Sequence, residues 1–150
     1  MIDLIGKNID LNSQVKTKTE ALKALCKSLQ QNGVVSDKDL FFQDVLNREA
    51  IGATGMENGI AIPHGESEAA KKATIAVLKT ANNLEWESLD GKPIHLIFLL
   101  VVPSKNRNIN HLKILAKLSA ALTHKDIQQK LLKTDDVKEF KSILEKAGGF

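Results

Sequence analysis

Leu22, Leu25, Cys26 and Leu29 recur at i, i+3, i+4 and i+7, the spacing of one buried helical face, and Asn32 with Gly33 supplies a stop. This predicts a first helix after a short extended opening over Leu4 to Leu11, and it turns Cys26 toward the core. Leu40, Phe41, Val45 and Leu46 make the next stripe. Ser36 followed by Asp39 resembles a capping box with Asp in place of Glu, so a second helix is expected to start there and run to about Arg48. From Ile51 to Gly65 the helical period breaks. Glycines at 52, 55, 59 and 65 surround the apolar triplet Ile60, Ala61, Ile62, which reads as a loop, a brief strand and another loop. Thr74 to Thr80 reads as a strand, Asp90 and Gly91 as a turn, and Ile94 to Val102, apolar on both faces, as a strand central to its sheet. Pro103 ends that strand. His111, Leu115, Leu118 and Leu122 then share one helical face, with His111 in the first turn, and two more helical segments follow near Asp126 to Leu132 and Asp136 to Lys146.

Helices and strands therefore alternate, and the strands are too few for a large barrel. The expected class is α/β, a small mixed β-sheet flanked by helices on both faces. The length of 150 residues suits a single domain spanning the chain, and 43% hydrophobic with 26% charged residues is a globular composition. Net charge is +3 with no basic run, which argues against nucleic acid as a partner. A single cysteine excludes an internal disulfide, a CxxC redox pair and a multi-cysteine metal site. The longest apolar run, Leu96 to Val102, is far short of the roughly 20 residues of a membrane span, and the opening lacks the features of a signal peptide, so a cytoplasmic location is expected.

The candidate chemistry lies in the four histidines, His64, His95, His111 and His124. None stands at metal-ligand spacing from another, so no metal or other cofactor is expected. His64 follows the apolar triplet directly, between Pro63, which fixes the approach, and Gly65, which clears space behind it, so the ring is presented. His111 heads an inward helical stripe, where a half-buried histidine with a backbone partner is the more ordinary reading. His95 shares a strand face with Ile97 and Leu99 and reads as a core or sheet-end histidine. His124 reads as solvated. Arg48, closing the second helix just before the glycine-rich loop, offers a planar and permanently charged donor fork, and Arg107 competes for that role.

The run Arg48-Glu49-Ala50-Ile51-Gly52-Ala53-Thr54-Gly55-Met56-Glu57-Asn58-Gly59-Ile60-Ala61-Ile62-Pro63-His64-Gly65 resembles the active-site signature of the enzyme IIA (EIIA) domains, fructose/mannitol type, of the phosphoenolpyruvate:sugar phosphotransferase system (PTS). The segments Leu89 to Pro103 and His111 to Ser119 are similar to the same family, in the same order. The resemblance implies a phosphocarrier. His64 would accept a phosphoryl group from phospho-HPr, through Nε2, and pass it to a cysteine of an EIIB domain. His111 would be the second active-site histidine, Arg48 would stabilise charge, and Thr54 and Gly65 would lie against the phosphoryl group. The membrane-embedded EIIC would be an indirect partner. Ala53 stands where the family often has serine, so that contact falls to Thr54 and the backbone N–H groups of the glycine-rich loop, and Met56-Glu57 replaces a more usual Ile-Gly. The closing segment is nearer the fructose style. A nitrogen-regulatory paralogue shares the signature, and a non-catalytic module whose His64 loop only binds an anion is the alternative of a different class.

Overall fold

The computed structural model describes residues 4–105 and 107–149. In chain order its elements are β1 (Ile9–Ser13), α1 (Lys18–Gln31), α2 (Lys38–Ile51), β2 (Ile60–Ala61), β3 (His64–Ser67), β4 (Thr74–Leu84), β5 (Ile94–Pro103), α3 (Ile109–Ala121), α4 (Lys125–Lys133) and α5 (Val137–Gly148). The sheet is mixed. Its order is β1-β4-β5-β2, with β3 also on β5; β4 and β5 run antiparallel and every other pair is parallel.

The doubly apolar pattern of β5 follows from its place. Its alternate residues enter two separate cores, Ile97, Leu99 and Val101 on one face and Leu96, Phe98 and Leu100 on the other. The first core is covered by the apolar stripes of α1 and α2, the second by those of α3, α4 and α5. Helices thus cover both faces, as the alternation of elements implies. No described helix is long and apolar enough to cross a membrane.

Several boundaries differ from the sequence expectations, each for a local reason. The opening is not extended from Leu4: Gly6 turns the chain at φ 58°, Asn8 N–H bonds to the carbonyl of Ile5, and the strand begins only at Ile9. The second helix is capped by Asp37, whose carboxylate accepts from the N–H groups of Asp39 and Leu40, while the Ser36 hydroxyl turns to the carbonyl of Ala69. That helix also runs one turn past Arg48, to Ile51. His64 does not sit in a loop. It opens β3, where pairing with β5 sets His64 opposite Leu100.

Candidate active site

His64 is carried by the edge of the sheet and Arg48 by the last turn of α2, and Gly65 lets the two elements meet. A Cβ at Gly65 would stand 2.8 Å from Cγ2 of Val45 and 3.0 Å from Cε1 of Phe41, both on α2. The requirement for glycine here is therefore close packing, and what Gly65 can offer a ligand is its backbone.

Across that contact Arg48 Nε donates to His64 Nε2 at 2.9 Å. Because guanidinium only donates, Nε2 must present its lone pair. The other ring nitrogen, Nδ1, lies 3.2 Å from the carbonyl of Ile62, which only accepts, so the neutral ring carries its proton on Nδ1. Arg48 is held in turn by Nη1, which donates to the carbonyl of Gly52 at 2.8 Å.

The glycine-rich segment forms the rim. Thr54 is tied to Glu49, donating its N–H to Oε2 at 3.4 Å and its hydroxyl to Oε1, so both of its donors are engaged. Gly55 bridges to Ala61 and Ser88, and a Cβ there would lie within 2.1 Å of the carbonyl oxygen of Glu87. At the far end Asn58, with φ at 62°, donates its side-chain amide to Gln128 on α4 at 2.8 Å and its backbone N–H to Asp90. Those backbone donors, Asn58 first and then Lys92, hold the Asp90 carboxyl below the usual carboxylate range.

His64 and Arg48 open onto a cavity of about 480 Å³ whose other walls are mostly apolar, among them Met56, Ile62, Leu100 and Leu112. From α3 the lining residues are Leu112, Leu115, Ala116 and Ser119. His111 stands one position before this row, half-buried in the first turn, its backbone N–H bonded to the Asn108 side chain. The structure therefore brings His64, Arg48 and Thr54 to one cavity, whereas His111 is not among the residues that line it.

The remaining candidates lie elsewhere. Arg107 donates to Glu66 and to the carbonyl of Pro103 and does not line the cavity. His95 is half-buried against Gly59, where desolvation and then the charge of Lys79 hold its ring below the ordinary histidine range. His124 is exposed at the start of α4. Among the described residues, no group of three or more His, Cys, Asp or Glu side chains could hold a metal ion. Glu49 and the Asn58–Gln128 pair escaped the sequence reading, because each depends on partners far along the chain.

The family model for the "Phosphoenolpyruvate-dependent sugar phosphotransferase system, EIIA 2" matches residues 4–147. The chain is 33% identical over 136 residues to the PTS system fructose-specific EIIA component of Haloferax volcanii, covering 91% of this chain and 88% of that one. It is 31% identical over 140 residues to the PTS system 2-O-alpha-mannosyl-D-glycerate-specific EIIABC component of Escherichia coli, covering 93% of this chain and 21% of that protein. It thus spans about a fifth of this fused relative and most of the stand-alone one. Among solved structures, the nitrogen regulatory protein IIA-Ntr of Neisseria meningitidis superposes with a TM-score of 0.79 at 32% identity, over 91% of this chain and 92% of that one.

Proposed function

The chain belongs to the phosphoenolpyruvate-dependent sugar phosphotransferase system EIIA 2 family, a phosphotransferase component, and from that premise we propose that it is a phosphocarrier accepting a phosphoryl group on Nε2 of His64. The observation that carries the reading is the ring's hydrogen bonding. Nδ1 faces a carbonyl at 3.2 Å, and Nε2 offers its lone pair to Arg48 at 2.9 Å. A neutral imidazole with an unprotonated Nε2 is a competent nucleophile toward phosphorus once Arg48 releases that lone pair.

In the first step Nε2 attacks the phosphorus of phospho-HPr. The new N–P bond forms as the bond to the HPr imidazole breaks, and that bonding pair returns to the HPr nitrogen. In the second step the thiolate of an EIIB cysteine attacks, and the pair of the breaking P–N bond returns to Nε2. His64 keeps its Nδ1 proton throughout. Such transfers ask the protein chiefly to align the atoms in line and to neutralise the equatorial oxygens. Arg48 does this by leaving Nε2 as the phosphorus arrives and turning its fork to the phosphoryl oxygens. Thr54 reaches those oxygens only by releasing Glu49, Gly65 can offer them only its backbone, and His111 meets them from the α3 side. The apolar walls receive side chains of the docking partner. EIIB as the acceptor is supported by the fused EIIABC relative, and a fructose-type sugar by the Haloferax volcanii component. EIIC would stand downstream, and nothing in this scheme calls for a metal.

The test is incubation of the purified chain with phosphorylated HPr. Acid-labile, base-stable phosphate is expected on His64 and is expected to be absent from His64→Ala; a wild-type chain that gains none overturns the reading. His111→Ala is expected to accept phosphate but to donate it more slowly, and unchanged rates in both directions would remove His111 from the site.

The likeness to IIA-Ntr favours a second reading, a regulatory paralogue that is phosphorylated in the same way and acts by binding other proteins. The phosphorylated chain distinguishes the two: transfer to the cysteine of a fructose-type EIIB supports transport, and retention of the phosphate supports regulation.

A further inference from the structure

Glu49 is a buried charge beside the site, and the transfer scheme gives it no task beyond its hold on Thr54. Its side chain is only 5% exposed, and the ammonium of Lys18, the first residue of α1, lies 2.8 Å from Oε2. Lys18 also stands 4.6 Å over the ring of Trp86, the only tryptophan in the chain. Lys18 is 29% exposed, so the desolvation falls mainly on Glu49; the pairing offsets that cost, and apolar side chains of similar size are often no worse for stability. What apolar side chains could not do is hold Thr54.

Glu49 clamps both donors of Thr54, and two residues earlier the carbonyl of Gly52 receives Nη1 of Arg48. A continuous set of polar contacts therefore runs from Lys18 through Glu49 to the loop at 52–54, and from that loop back to the guanidinium on His64. Glu49 does not line the cavity, whereas Thr54 and Arg48 do. We propose that Glu49 is a positioning residue: by fixing Thr54 it sets the loop against which Arg48 is oriented, and so fixes the lone pair of His64 Nε2 on its donor. The kinetic consequence rests on the carrier reading; the geometric one does not.

Glu49→Gln keeps the shape of the side chain but replaces one of the two acceptor oxygens that take the Thr54 donors with a donor NH2, and removes the charge facing Lys18. Nitrogen-15 NMR of the imidazoles in the full chain reads the geometry directly. The Nε2-acceptor, Nδ1–H signature of His64 is expected in the wild type, and a shift toward mixed tautomers is expected in Glu49→Gln. The rate of phosphate uptake from phospho-HPr is expected to fall about tenfold or more, as misplacement of a reacting group by a fraction of an ångström does, with the final stoichiometry unchanged.

Lys18→Met/Glu49→Gln separates positioning from stability. Removing both charges is expected to recover the urea midpoint lost in Glu49→Gln, while the ring signature and the uptake rate stay perturbed. A wild-type signature and rate in Glu49→Gln would overturn the proposal, as would recovery of both in step with stability in the double variant. If the wild-type chain takes up no phosphate, the carrier reading fails, and the ring signature alone decides the role of Glu49.

Discussion

Arg48 uses two nitrogens for two tasks, Nη1 on the Gly52 carbonyl and Nε on His64, and this division decides how a substitution will behave. Lysine would preserve the charge and the reach of the chain, but its single ammonium cannot hold the loop and the ring with the fixed angles of a planar fork. Arg48→Lys is therefore expected to retain part of the phosphate uptake, with a rate lowered about tenfold, roughly the factor carried by one charge-assisted hydrogen bond. Single-turnover uptake from phospho-HPr measures this, and a wild-type rate would show that charge alone suffices. His64 and Arg48 were both legible in the sequence, the histidine from its place between a strand, a proline and a glycine, the arginine from closing a helix before a glycine-rich loop. Glu49 was not. A carboxylate near a helix end ordinarily stays in water, and what buries this one is Lys18, 31 positions earlier in the chain.

At the scale of elements the same distinction holds. The five described helices were readable because each carries apolar residues into a core, although Leu40, counted in the stripe of α2, is 44% exposed and Phe41 and Val45 carry that face; β5 was readable because both of its faces are apolar. β3 was not, since His64, Gly65, Glu66 and Ser67 have no strand pattern and become a strand only by pairing with β5. Asp37 likewise takes the cap although Ser36 has the commoner capping-box spacing, because the Ser36 hydroxyl is drawn away by Ala69 across a contact no local pattern reveals. The packing of α2 on β3 is the junction on which the site depends, and Gly65 sets its separation. Gly65→Ala would press a methyl to 2.8 Å from Val45, whose helix must retreat by some tenths of an ångström. The expected cost is about 1–3 kcal/mol, typical of overpacking, together with slower phosphate uptake as Arg48 on α2 withdraws from His64. Gly52 is the control: its backbone is extended, nothing lies within 4 Å of a Cβ there, and Gly52→Ala is expected to leave stability nearly unchanged. Urea denaturation of the two variants beside the wild type checks both, and equal midpoints would show that α2 yields without cost.

For the whole molecule, stability must respond to pH at both ends of the range, because folding suppresses the charged form of one group on each side of neutrality. Desolvation, then the charge of Lys79, holds the half-buried His95 ring below its ordinary value. Below about pH 6.5, where an unperturbed histidine takes up its proton, the unfolded chain binds a proton the folded chain resists, so stability falls as pH falls. Cys26 works in the opposite direction. Burial, then the charge of Asp39, pushes its thiol up to about 12. Above about pH 8.5 the unfolded chain releases a proton that the folded chain retains, so stability falls as pH rises. Between these values both groups are neutral in either state, and neither contributes a slope. Urea midpoints measured from pH 5 to 10 are therefore expected to show a plateau with a descending limb on each side. His95→Gln is expected to flatten the acid limb and Cys26→Ala the alkaline limb, whatever either variant does to the height of the plateau. An alkaline limb that survives in Cys26→Ala would show that this thiol is not its cause.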